Sequence, residues 1–251
     1  MRYFTKILLV LVLILFISDC KKKEENQNTE EPITKEEPIN DLEETPPTRE
    51  EIKNPSLPSP ATFRNIAEAK GDLDGDEIPE LVVVYDTAKQ DELGTQRELH
   101  IFKKKEDNWN LLHKSIGVVL PSMAGGMMLD PFENVTIENG AIVLHHFGGA
   151  REKWSYTHKF RFQKEGWYLI GATIEYSIVC EESTSYDYNV STGKVNMEYT
   201  KESCDTEGNA KGKPKVTKSS FALKEKQSIQ MDGFVPGNTE AKLSKNKTFY
   251  F

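Results

Sequence analysis

Three aspartates at alternate positions, Asp72, Asp74 and Asp76, stand in the run GDLDGDEIPELVVV from Gly71 to Val84. Three carboxylates within five residues repel one another unless a cation lies among them. Calcium takes six to eight oxygens in flexible geometry, and a loop offering carboxylates at positions 1, 3 and 5 with a carbonyl at 7 wraps one side of it. Here those positions are Asp72, Asp74, Asp76 and the backbone of Ile78, and Glu80 at position 9 closes the far side. Magnesium fits less well, because it demands tight octahedral geometry and keeps its waters. The expected ion is a structural calcium held weakly, at about 10⁻⁴ to 10⁻³ M as in extracellular modules. An acidic turn without metal is the competing reading.

Other residues with chemical potential are weaker candidates. His145 and His146 are sequence neighbours, so on a strand they point to opposite faces and cannot share one metal or substrate. Gly125-Gly126 and Gly148-Gly149 read as structural turns, since no helix-opening phosphate motif follows either pair. Met123, Met127 and Met128 around the first pair are read as packing under a loop, with an adaptable apolar contact surface as the alternative. Trp154, Tyr156, Trp167 and Tyr168 sit at strand spacing as core or face aromatics. No nucleophile elbow and no ordered Ser, His and Asp set is present.

Strands must position these residues. Trp154, Tyr156, His158, Phe160 and Phe162 alternate with Ser155, Thr157, Lys159 and Arg161, a half-buried strand. After the turn Lys164-Glu165-Gly166, the residues Tyr168, Ile170, Ala172, Ile174, Tyr176 and Ile178 continue the apolar alternation and predict an antiparallel hairpin. Val135–Ile137 and Ile142–Leu144 flank Asn139-Gly140, the strongest short hairpin signal. Glu98–Phe102 pairs with Trp109–His113, and Tyr186–Val190 with Val195–Tyr199. Leu81–Val84 is apolar on both faces, so that strand is central. The expected class is all-β, a single antiparallel meander curled into a sandwich or barrel-like domain over residues 61–251 with one calcium-binding loop. Residues 200–217, rich in Lys, Gly and Glu, are read as a flexible loop, and Phe221–Gln230 is ambiguous between helix and strand.

The acidic run resembles the FG-GAP or integrin-α-like calcium loop, whose pattern is roughly D-x-D-x-D-G-x-x-D before an apolar strand. The match holds at Asp72, Asp74, Asp76 and Leu81–Val84. It departs at Glu77, where the family carries glycine, and at Glu80, where aspartate is usual. Glycine there supplies positive φ, at which Glu costs about 1 kcal/mol or more. The wider stretch through Asp130-Pro131-Phe132, His145-His146-Phe147-Gly148-Gly149, Trp154-Ser155-Tyr156 and Trp167-Tyr168 looks like exported bacterial FG-GAP or VCBS-repeat-like proteins, over roughly residues 62–200. A single acidic loop without a repeat argues against a propeller. The resemblance implies an exported all-β domain with one calcium loop and lends no activity.

The ends of the chain set its address. Arg2 and Lys6 precede and flank ILLVLVLILF, Ile7 to Phe16, a ten-residue apolar run. That is too short to span a bilayer, which takes roughly twenty residues, and suits a secretory signal. Ile17-Ser18-Asp19-Cys20 resembles a bacterial lipoprotein signal with Cys20 as the lipidated residue, although Asp19 departs from the small residue usual there. An ordinary signal peptide or an uncleaved anchor is the alternative. Residues 21–60 hold seven of the chain's twelve prolines with no aromatic and no glycine, the composition of a disordered, extended tether. The tether carries −5 of the net −8, residues 1–20 carry +1, and the rest only −4. The acidity therefore belongs mostly to the tether, and no basic patch with interleaved aromatics invites nucleic acid. Cys180 and Cys204, exported to an oxidising space, are expected to form a disulfide. The sequence thus predicts a non-enzymatic binding domain anchored to the membrane through lipid on Cys20, at the cell envelope and in the outer membrane. Its expected partner is an envelope protein or an extracellular ligand. The alternative is a periplasmic hydrolase acting through an acidic pair near the glycine-rich loops.

Overall fold

The computed structural model describes residues 57–223, 226–244 and 247–251. The signal segment, Cys20 and most of the tether lie outside the described residues. Packing reaches back to Leu57, inside the stretch whose composition marks it as tether: Leu57 and Phe63 cover Leu81, Val83, Tyr85 and Phe102.

Thirteen strands and no α-helix occur among the described residues. A first sheet is a meander of β1 (Arg64–Gly71), β2 (Glu80–Asp91), β3 (Gly94–Lys105) and β4 (Asn108–Ile116). A second has seven strands: β5 (Phe132–Glu138), β6 (Ala141–Gly149), β7 (Glu152–Gln163), β8 (Gly166–Ile178), β9 (Glu182–Asn189), β10 (Lys194–Lys201) and β11 (Lys215–Ala222), each paired with its sequence neighbour. A C-terminal hairpin joins β12 (Glu240–Ser244) to β13 (Lys247–Tyr250). Every pairing is antiparallel. Neither sheet closes into a barrel. Both feed one core: Val82, Val84, Leu99 and Ile101 from the first meet Val135, Ile142, Leu144, Phe160 and Ile174 from the second. The hairpin covers β9, with Phe249 stacked on Tyr186 at 4.7 Å and Phe251 edge-on to Tyr188 at 5.3 Å.

The turn chemistry follows the sequence. Asn139 and Gly140 take φ of 50° and 71° between β5 and β6, as the Asn-Gly pair predicts. Strand β2 is central, and its side chains bury alternately in the main core and beneath Phe63. At Gly71 a β-carbon would lie 2.8 Å from Ile137 Cγ2, so glycine is what allows β1 to lie against β5.

The structure corrects two details and resolves a third. Strand β8 does not keep one phase: the register shifts opposite Lys159 and Phe160, so Trp167 and Leu169 are buried while Tyr168 and Ile170 are only half-buried. A bulge switches faces in mid-strand, and simple alternation cannot register it. The predicted loop 200–217 is shorter, since Thr200 and Lys201 pair with Val216 and Lys215. Phe221–Gln230 shows no helix among its described residues: β11 runs to Ala222 and residues 226–230 are irregular apart from a bridge at Gln230.

Candidate functional site

The acidic loop connects β1 to β2, closed by the pair Gly71 and Glu80. Its aspartates fold it. Asp72 accepts backbone N–H bonds from Asp74 (3.2 Å), Gly75 (2.7 Å) and Glu77 (3.0 Å). Asp74 accepts from the Asp76 N–H at 3.3 Å, and Asp76 from the Ile78 N–H at 2.9 Å. These are successive Asx turns. Two residues take left-handed backbone, Gly75 at φ 82° and Glu77 at φ 64°. Glu77 therefore bears the steric cost that glycine avoids.

The carboxylates converge instead of splaying. One oxygen each from Asp72, Asp74 and Glu80 lies within 4.8 Å of the others. Asp76 stands outside that trio, and Ile78 is exposed with its N–H committed to Asp76. Glu80 is 1% exposed; Oε2 accepts the Leu73 N–H at 2.8 Å, while Oε1 has no hydrogen-bond partner. A buried carboxylate with one oxygen lacking a donor calls for a cation. The protein supplies one itself. Lys103 on β3 places Nζ 2.5 Å from Asp74, 2.6 Å from Asp76 and 3.4 Å from Glu80 Oε1. These bonds, to Asp74 first and Asp76 second, raise the Lys103 pKa above its usual value. Lys103 in turn lowers that of Asp76. The donor set suits a hard divalent ion at Asp72, Asp74 and Glu80, in competition with a resident ammonium. Sequence reasoning missed Lys103 because it lies 29 residues from Asp74 and meets the loop only through the β2–β3 pairing.

A second charged cluster also escaped prediction. Arg97, 3% exposed, donates from Nε to Asp86 (2.9 Å), bidentately to Asp130 (2.7 Å twice) and to the Leu120 carbonyl (3.2 Å). Arg64 also pairs with Asp86. Arg97 thus joins Asp86 on β2 to Asp130, which follows the Gly125-Gly126 loop. His146 lies beside this cluster, buried, with Nε2 accepting the Leu120 N–H at 3.3 Å. Burial, then the Arg97 charge, lowers its pKa to about 3. His145 faces away and meets Thr157 Oγ1 at 3.0 Å. The two histidines do not converge, as their adjacency required. His158 is wholly buried against Phe234, and burial holds it neutral. A surface pair, His113 and Asp232, meets at 2.9 Å, and no other side chain bonds to that imidazole among the described residues.

The glycine pairs are structural. Gly149 at φ 112° donates its N–H to the Gly125 carbonyl at 2.9 Å, and a β-carbon there would strike the Glu152 carbonyl at 2.0 Å. The loop they hold is not packed inward as read from sequence. Met127 is 81% exposed and Leu129 59%, with Met123, Met128 and neighbouring Leu93 also exposed. Leu129, at φ 60° and ψ −95°, is strained for a branched side chain. Cys180 and Cys204 form the expected disulfide, with 5.2 Å between Cα atoms. Comparison with protein-family models, curated proteins and solved structures returns no match.

Proposed function

We propose that this chain is a lipid-anchored, extracytoplasmic binding domain, attached through Cys20 to the outer membrane of a cell envelope and carried on the 21–60 tether. The acidic loop takes a structural calcium ion at Asp72, Asp74 and Glu80, with Asp76 and the Ile78 backbone as outer support. The partner is an envelope protein or an extracellular ligand. The observation that carries the binding role is the loop at 123–129. It turns three methionines and a leucine into solvent on a strained backbone, clamped by Arg97 through Asp130 and by Gly149 through Gly125. Soluble proteins rarely keep such apolar side chains clustered outside without a use, and methionine is suited to adaptable contacts. The Cys180–Cys204 bridge fits an oxidising compartment, and the convergent carboxylates support the resemblance to FG-GAP calcium loops.

The test is a photo-crosslinking residue at Met127 in the full chain, expressed in its own envelope, with the same residue at the exposed hairpin position Glu165 as control. The reading expects one saturable adduct from position 127 only. No adduct, or equal adducts from both positions, overturns it.

A further inference from the structure

We infer that the inner face of the seven-stranded sheet carries a second, separate site that takes a small organic cation, an alkylammonium or guanidinium group. It deepens the binding-domain reading by naming a ligand chemistry, but it needs neither the metal, the lipid nor the methionine loop. Strands β7, β8 and β9 run past the cover of the C-terminal hairpin and leave a groove of about 340 Å³, lined by Glu152, Trp154, Tyr176, Ile178, Glu182 and Thr184. The strand register sets these six side chains as two rungs on one face. Glu152, Ile178 and Glu182 stand side by side, and Trp154, Tyr176 and Thr184 form the next rung. Neighbouring strands lie about 4.8 Å apart, so the two carboxylates flank Ile178 across about 9.6 Å. The aromatic rung lies about 6.8 Å further along the strands, within reach of long side chains.

The two carboxylates of this lining lack ion-pair partners among the described residues, although Lys201 stands beside Glu182 on β10. Glu138, Glu181 and Glu198 on the same sheet and its turns are paired with Lys159, Arg151 and Lys218. Among the described residues no cation pairs with Glu152 or Glu182, and Glu182 accepts only the Tyr199 hydroxyl at 2.7 Å. No described cation lies over the ring of Trp154 or Tyr176 either. Lys153 also borders the groove, but its ammonium reaches the Met128 sulfur at 3.5 Å. Two carboxylates beside two aromatic rings, on a floor of isoleucine, complement a cation with an apolar body: charge meets the glutamates, and the rings add cation–π attraction.

The site is also held in shape before any ligand arrives. The Trp154 indole lies flat over Gly148, where a β-carbon would be 2.3 Å from Cζ2, and stacks on Tyr156 at 4.8 Å. Tyr176 donates its hydroxyl to the Tyr250 carbonyl at 3.1 Å. The turn between Ile178 and Glu182 is tied by the Cys180–Cys204 disulfide and by the Glu202 N–H to the Glu181 carbonyl at 2.9 Å. Preorganisation of this kind lowers the cost of binding. It also gives the disulfide a local task, since it fixes the rim that carries Glu182.

The experiment is calorimetric titration of the full chain, purified from an exporting host with its disulfide formed. The probes are choline, N-acetyl-arginine methylamide, 3,3-dimethylbutanol as the uncharged isostere of choline, and methyl glucoside. Binding of choline, of the arginine derivative or of both, with at least about tenfold weaker binding of the isostere, is the expected result, and the preferred probe distinguishes a free alkylammonium ion from a guanidinium-bearing peptide side chain. The exposed double variant Glu152→Gln/Glu182→Gln, with an unchanged melting temperature, loses at least about tenfold in affinity for the cation. Cations that fail to bind, an isostere that binds equally, a preference for the glucoside, or a folded double variant with full affinity each overturns the inference.

Discussion

Replacing Lys103 by methionine tests the electrostatic argument at the acidic loop. The ammonium serves three carboxylates that differ in burial. Asp74 and Asp76 are more than one-third exposed at the side chain, so solvent screens both pairs and they add little to stability. Glu80 is 1% exposed, and stripping the partner from a buried charge costs up to about 3–5 kcal/mol. That pair is long at 3.4 Å, and Lys103 is itself 31% exposed, which brings the net loss to the bottom of that range or just below it. A loss of about 2–3 kcal/mol corresponds to roughly 4–12 °C in melting temperature for a domain of this size. Calcium acts in the opposite direction. At 10 mM ion and a dissociation constant of about 10⁻⁴ M, binding restores about 2.7 kcal/mol. The native chain responds less, because its ammonium must leave first. The assay is thermal melting of both chains, with chelator and with 10 mM calcium. If the variant melts with the native chain under chelator, Lys103 is not the counter-ion. If calcium moves neither chain, the metal reading is wrong, whatever the variant does under chelator.

Three further outcomes follow from the same structure. Arg97→Met leaves the buried Asp86 with Arg64 alone and removes the bidentate pair to Asp130, and is expected to cost about 3 kcal/mol, with faster hydrogen exchange over residues 120–131; unchanged exchange there would contradict the clamp. The imidazoles of His146 and His158 stay neutral in the fold, whereas the unfolded chain takes up protons below about pH 6.5. Stability therefore falls with acid by about 1.4 kcal/mol per pH unit for each histidine, in a window that for His146 runs down to about 3. Urea unfolding of His158→Phe between pH 7 and pH 5 should show a shallower acid slope, and an unchanged slope refutes the assignment. Cys20→Ser is expected to move the protein from the membrane fraction to the soluble fraction, read by fractionation and by the mass of the mature N-terminus; membrane retention without lipid would instead indicate an uncleaved anchor.

The fold was legible where local chemistry decides it. Alternation from Trp154 to Phe162, the Asn139-Gly140 turn and the doubly apolar Leu81–Val84 each encode their outcome within a few residues. The β8 phase was not legible, because a bulge adds one residue whose position depends on pairing with β7. The acidic loop could be placed from spacing alone, yet its neutralising Lys103 could not. Neither could Arg97, nor the exposure of Met127, since each depends on which strand becomes a neighbour. The groove over Ile178 lies further from sequence still. Its six side chains come from three strands, and only the two-residue period within each hints that they share a face.

Charge also explains why β2 and β3 meet in one register. A buried apolar strand of Leu81–Tyr85 ends in two buried carboxylates, Glu80 and Asp86. Strand β3 answers each end with a cation: Arg97 pairs opposite Asp86, and Lys103 reaches Glu80 one step beyond the Leu81–Phe102 pair. A slip by one residue would leave the valines buried on exchanged faces, so hydrophobicity alone penalises it weakly on a strand apolar on both sides. The same slip would part Glu80 from Lys103 and Asp86 from Arg97, the second loss eased because Asp86 keeps Arg64 on β1. The ion pairs therefore supply the specificity that the apolar run lacks. They also fix the acidic loop at one end of β2 and the Arg97-held methionine loop at the other.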